Sequence, residues 1–319
     1  MRLSKQAATL ISINTAFALA VIKLIGGVAT GSVSVLSSAV DSILDIGSST
    51  VNFFAIKASE QPPDAAHRYG HGKFESLASF LQSIVITLSG FYILYEAYKK
   101  FTAKEGVKDI EGGLWVMLFS IAVTFALVFM LKRVAKRENS AILKTEALHY
   151  EIDLLTGAGV LLGLILVKYT GISAIDPAIS VLIALKTVYS AALLGRDVSE
   201  DLLDKSLCPD DMAKIRDILD GYSYIIVDYH RVRTRKAGTK KFADMHILVS
   251  KYLSIDDAHF IADVIEKEIS DALGGADVQI HIEPCEPELT HGCSQECCEK
   301  MMKDIEDFKK EKGGSSARI

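Results

Sequence analysis

The feature that most constrains this chain is a series of six apolar runs in its first 200 or so residues. A bilayer-spanning helix takes roughly 17 to 25 mostly apolar residues. Segments 7–29, 33–57, 75–99, 113–133, 142–168 and 175–196 reach that length. Backbone groups in hydrocarbon must be bonded within their own segment, so the runs predict a six-helix transmembrane bundle. The connection at 30–32 is short and makes a tight hairpin of the first two spans. The opening MRLSKQAATL leads into the first run without a small-residue cleavage site. It reads as an uncleaved first helix rather than a signal peptide.

Half of the 319 residues are hydrophobic, and they are unevenly spread. Past about residue 200 the chain becomes mixed and charged, which predicts three parts: 1–207 in the membrane, a folded domain at 208–287, and a disordered tail at 288–319. The net charge of −5 does not suggest a nucleic-acid partner. The five cysteines, Cys208, Cys285, Cys293, Cys297 and Cys298, all lie in the polar part, and a reducing compartment fits them better than a disulfide framework. Basic residues set the orientation. Arg2, Lys5, Lys57, Arg68, Lys73, Lys132, Arg133, Lys136, Arg137 and Lys144 outweigh Lys99, Lys100, Lys104, Lys108 and Lys168 on the opposite side, ten against five. The positive-inside rule then places both termini in the cytoplasm of a multi-pass inner-membrane protein.

Two spans carry acids where apolar side chains belong. In AVDSILDIGSSTVNFF, Asp41 and Asp45 are four apart and share one helix face. In TEALHYEIDLLTG, His149 and Asp153 repeat that spacing. At about 1.5 Å per residue, Asp41 and Asp45 lie roughly 12 and 18 Å from the outer end of span two. Span five runs the other way and brings Asp153 and His149 to matching levels. One stray polar residue could pair with a neighbour. Three acids, each costing about 2.5–3.5 kcal/mol at the bilayer centre, call for a counter-charge, and a divalent cation or protons would supply it. Oxygen and imidazole donors in a set of four suit tetrahedral Zn²⁺, with Fe²⁺, Cd²⁺, Co²⁺ and Mn²⁺ also accommodated. Lys23 stands near the outer end of span one and can snorkel, and Lys186 has no evident partner.

Two further ligand sets lie outside the spans. In PPDAAHRYGHGKFES, Asp64, His67 and His71 have spacings suited to a local metal site, against the plainer reading of a solvated loop. From 209 the pattern reads helix 209–220, strands 223–234 and 241–252 joined by a hairpin near Ala237–Gly238, helix 255–273 and strand 277–284. That order predicts a small ferredoxin-like α+β domain. His230, His246, His259 and His281 are spread over it, with Glu283 on the same strand face as His281.

These residues resemble a known family. GSVSVLSSAVDSILDIGSS, HRYGHGKFESLA, LHYEID, DKSLCPDD, HRVRTRKAGTKKF, DAHFIADVIE and VQIHIEPC together are similar to the cation diffusion facilitator family, over about residues 4 to 287. The resemblance implies a homodimeric, proton-coupled exporter of divalent metals, not an enzyme. It implies a transport site of Asp41, Asp45, His149 and Asp153, a loop site of Asp64, His67 and His71, and a binuclear cytoplasmic site of His230, His246, His259, His281 and an acid. The family pattern has aspartate where Glu283 stands. Lys73 and Asp204 fall at a charge-pair position that clamps two protomers, and Leu148 at a hydrophobic gate. The tail departs from the pattern: HGCSQECCEK, with Cys293, Cys297 and Cys298, offers donors for a soft metal. A metal-gated channel or membrane sensor is the main rival reading. An intramembrane hydrolase would need an activated water, and the sequence has no H-E-x-x-H.

Overall fold

The computed structural model describes residues 3–30, 33–103, 114–170, 172, 174–285 and 295–312. The chain divides into two compact units after Leu203. The first holds six long helices: α1 (Lys5–Thr30), α2 (Val33–Ser59), α3 (Lys73–Ala103), α4 (Leu114–Arg137), α5 (Ala141–Thr170) and α6 (Ile175–Leu202). Each covers one of the expected spans. Among the described residues α1, α3, α4 and α6 contain stretches long and apolar enough to cross a membrane. Helices α2 and α5 are the two that carry the acids and His149. In the four apolar stretches only 22–33% of the residues are buried within the protein, so most of their apolar surface faces outward, as lipid contact requires.

Helix α1 packs on α2, α3 on α6, and α5 on both α4 and α6. Small residues let α3 and α6 approach closely. A Cβ added at Gly90 would lie 2.7 Å from Val188, and one at Gly195 would lie 2.7 Å from Ser83 Oγ. At the end bearing the N-terminus, Ile56, Leu131, Ile142, Leu143 and Tyr150 form a fully buried core of α2, α4 and α5. There Lys5 Nζ donates to Glu75 Oε2 at 2.8 Å in a buried ion pair, and Ser140 donates to the other oxygen of Glu75. The pair is satisfied from both sides, which is the condition under which a buried charge is tolerated.

The second unit runs α7 (Pro209–Gly221), β1 (Asp228–Ala237), β2 (Lys240–Val249), α8 (Ile255–Ala272), β3 (Asp277–Pro284) and α9 (Gln295–Glu311). The sheet order is β1-β2-β3, with β2 and β3 parallel and His246 level with His281. Gly238, at φ 62°, turns the β1–β2 hairpin where the sequence places it. Pro209 starts α7, and Ser254 caps α8 by accepting from the Asp257 N–H at 3.1 Å. On β2, Met245, Ile247 and Val249 face a core shared with Ile261, Ile265 and Ile269 of α8, which turns Asp244, His246 and Leu248 to the opposite face.

Two expectations are corrected here. The first strand starts at Asp228, not 223, because Tyr222–Ile226 forms consecutive turns that bury Ile225 and Ile226 against the helices. The apolar run there is core-filling turn rather than strand. The tail is not disordered over Gln295–Glu311: α9 packs Met301, Ile305 and Phe308 into the same core. Its polar composition hid a one-sided apolar stripe at helical spacing.

Candidate functional site

Among the described residues, three groups of ligand-type side chains come together, each with its donor atoms within 4.8 Å of one another. The first lies between α2 and α5. His149 Nε2 is 3.0 Å from Asp45 Oδ1 and 3.8 Å from Asp153 Oδ2. The antiparallel register of the two helices produces it, and a second bond one turn along, Ser49 Oγ to Tyr150 Oη at 3.0 Å, fixes that register. Asp41 stands one turn from Asp45 on the same face and is outside the three-residue group. Leu148 packs beside the group against Ile86, Ile152 and Ala191 of α3, α5 and α6.

Several charges around this group have partners that the sequence does not reveal. Lys23 does not snorkel outward. Its Nζ donates to Ser42 Oγ at 2.8 Å and Ser38 O at 3.3 Å on α2, and it interacts electrostatically with Asp45, Asp153 and Asp41. Part of the counter-charge that three acids in the spans call for is therefore present. Lys186 does have a partner: Glu151 of α5 lies 3.3 Å away and also pairs with Lys132 of α4 at 2.6 Å. Glu151 and the buried Glu146 are further acids of span five, visible on either side of His149 in the motif itself.

The second group lies in the α2–α3 loop. Asp64 Oδ1 accepts from the backbone N–H of His67 at 2.6 Å and of Ala66 at 2.8 Å. The His67 N–H holds the exposed Asp64 carboxyl below the ordinary carboxylate range, and His71 and His67 add to the effect. His67 Nδ1 and His71 Nε2 lie 3.5 and 3.4 Å from its oxygens. Residues Asp64, His67 and His71 thus converge as their spacing suggests, through a turn with Gly70 at φ 80° rather than a helix.

The third group sits on the sheet face away from the helices. His246 Nδ1 is 2.7 Å from Glu283 Oε1 and His230 Nε2 is 3.2 Å from Glu283 Oε2; His281, with Nε2 3.8 Å from Glu283 Oε1, stands beside this three-residue group and outside it. Arg231, at φ 53°, breaks the alternation of β1 directly after His230. The hydrogen bond with His246 keeps the Glu283 carboxyl below its ordinary range. His259 does not join them. It is an exposed residue of α8, in the helical layer behind the sheet, 3.6 Å from Asp263. The other three histidines stand one on each strand and are united by the pairing of neighbouring strands, with His246 level with His281, whereas His259 lies on a helix. Lys73, at the start of α3, donates to Leu202 O at 3.3 Å, and Asp204 has Arg235 at 3.9 Å. Cys293 lies outside the described residues, as do the side chains of Cys297 and Cys298.

Chemically, each group offers imidazole nitrogen and carboxylate oxygen at separations that one borderline divalent ion could bridge. Over residues 9–203 the sequence matches the family described as cation efflux transmembrane domain, and over 207–285 the one described as cation efflux protein, cytoplasmic domain. Proteins named cation-efflux pump FieF, from Yersinia pestis strain Pestoides F and from Yersinia pseudotuberculosis serotype IB, are each 32% identical over 280 residues, covering 88% of this chain and 93% of theirs. A solved metal-bound C-terminal domain of the CzcD transporter from Thermotoga maritima is 37% identical and covers 24% of this chain and 87% of that one, with a TM-score of 0.22.

Proposed function

This chain belongs to the cation efflux family, and on that premise we propose that it exports divalent metal cations, Zn²⁺ foremost, in exchange for protons. The observation that carries the reading is the approach of Asp45, His149 and Asp153 between two helices that carry acids inside the bundle. Asp41 completes the set when its side chain turns inward. Intramembrane ionisable residues mark ion pathways. Metal and protons compete for the same lone pairs, so one cage can take metal on one side of the membrane and release it to protons on the other. The bundle crosses the inner membrane six times with both termini in the cytoplasm, and the protein works as a homodimer in which Lys73 and Asp204 form the charge pair and Leu148 gates the cage. The loop and sheet-face groups bind metal on the cytoplasmic side.

The test is flux in proteoliposomes with a panel of divalent ions and an imposed pH gradient. Zinc flux that follows the gradient, with protons moving oppositely, is expected. Metal flux indifferent to the gradient would make the protein a channel, and metal binding without flux would make it a sensor.

A further inference from the structure

The polar faces of α2 and α5 do not stop at the cage. On α2 the series Asp41, Asp45, Ser49, Asn52 continues toward the end bearing the N-terminus, and on α5 the series Asp153, His149, Glu146 runs beside it. All of these lie at helical spacing on one face. Exposure falls along the way. The Asp153 side chain is 43% exposed and that of His149 26%, whereas Glu146 is 1% exposed. Ser12 of α1, Ser49 and Asn52 surround Glu146 and are equally buried.

Ser49, Ser12 and Asn52 stand within side-chain hydrogen-bonding reach of the Glu146 carboxylate, yet neither of its oxygens meets a donor at full hydrogen-bond geometry among the described residues, and the Asn52 amide nitrogen is likewise without a well-placed acceptor. A buried polar group left unsatisfied in a native fold needs a reason, of which an absent ion is one. The lysines nearby are committed elsewhere: Lys5 to Glu75, and Lys23 to α2 beyond the cage. Two carboxylate oxygens, an amide oxygen and two hydroxyls make an all-oxygen set. Such a set holds a divalent ion less selectively for zinc than one with imidazole, so an ion would pass from it to His149 downhill.

We propose that Glu146, with Ser12, Ser49 and Asn52, forms a second cation station one helical turn to the cytoplasmic side of Asp45, His149 and Asp153. A divalent cation occupies it between the cytoplasm and the cage when that end of the bundle opens. The assignment rests on the efflux reading for its direction, and on the buried donors for its existence.

The experiment replaces Glu146 by Gln, which keeps shape and hydrogen bonding and removes the charge, in the full chain lacking the loop and sheet-face ligands. Loss of a metal-orienting carboxylate costs about 10–100-fold in affinity. The zinc concentration for half-maximal flux should therefore rise by about that factor, while equilibrium zinc affinity at the cage stays within about twofold. Glu146→Asp, which retains the charge, should restore most of the flux at low zinc. Unchanged half-saturation in Glu146→Gln overturns the station, as does cage affinity falling in parallel. If the unmodified protein moves no zinc, the efflux reading fails separately. The station then stands or falls on binding: with Asp45→Ala and Asp153→Ala disabling the cage, dialysis should find one residual zinc equivalent that Glu146→Gln removes. Its absence overturns the proposal.

Discussion

Asp45, His149 and Asp153 meet because His149 and Asp153 sit one turn apart on α5 and Asp45 stands opposite them on the antiparallel α2, so single-residue changes test the cage directly. Asp45→Ala or Asp153→Ala should reduce zinc flux to background without unfolding the protein, since hydrocarbon supplies no substitute ligand. Asp41→Ala should do the same, because a closed tetrahedral shell needs a fourth donor. Flux near that of the unmodified protein in any of the three removes that residue from the site. His149→Asp leaves an all-oxygen cage and should move preference from Zn²⁺ toward Mn²⁺ or Cd²⁺. Unchanged Zn²⁺-to-Mn²⁺ and Zn²⁺-to-Cd²⁺ flux ratios would show that the imidazole does not set selectivity. At this scale the ligands were legible because helical spacing acts within one element. Lys23, Glu146 and Glu151 were not, because the partner of a lone charge lies on another helix and depends on how the two are rotated against each other. The separation of His259 from the other histidines has the same cause: which side of the sheet α8 packs on is set by packing between elements, not by spacing within one.

The C-terminal helix shows what an element adds beyond its composition. Helix α9 is rich in charge, yet Met301, Ile305 and Phe308 recur at three- and four-residue spacing and are at most 6% exposed. The Phe308 ring meets Tyr222, Tyr224 and Phe260 with ring centroids 5.8, 6.3 and 5.9 Å away. Phe308→Ala should therefore cost the C-terminal unit about 3–5 kcal/mol, the usual penalty for a buried aromatic. A thermal melt unmoved by the change would place α9 off the core. The sheet tests its own site. Expressed as 204–312, the unit should melt at higher temperature with Zn²⁺ present, since a ligand of the folded state alone stabilises it. His246→Ala with Glu283→Gln should remove the gain. The pH dependence has a definite sign. The Glu283 carboxyl is held below its ordinary range, so its contribution is complete above that range and is lost only as pH falls through the lowered value. Zinc held by imidazole competes with protons, so zinc-linked stabilisation should fade before that carboxylate range is reached, and a loss confined to it would leave the histidines out of the site. The strand order was readable from alternation and the Gly238 turn. The start of β1 was not, because buried turns and buried strands draw on the same apolar residues.

The helical unit and the C-terminal unit carry separate candidate ligand groups, and among the described residues only the group between α2 and α5 lies inside the helical bundle. That group is more exposed toward Asp153 than toward Glu146, and beyond Glu146 the fully buried core of α2, α4 and α5 closes the way. On the proposed exchange of metal for protons, an ion moves through only when that end opens, and it stays only while the cage is deprotonated. Zn²⁺ takes lone pairs that protons otherwise hold, so binding at the cage should release protons, at least one of them near pH 7, with the imidazole of His149 the leading carrier. Titrations within a cluster of two acids and a histidine are coupled, so the measurement should count protons for the cluster and not assign them to one residue. Calorimetry in buffers of different ionisation enthalpy gives that count, using a variant in which Asp64, His67, His71, His230, His246 and Glu283 no longer bind metal. A whole-number release that falls away on His149→Ala is expected. No release from about pH 6 to 7.5, the range around free imidazole, would exclude exchange of metal for protons at this cage and leave a channel as the reading that fits.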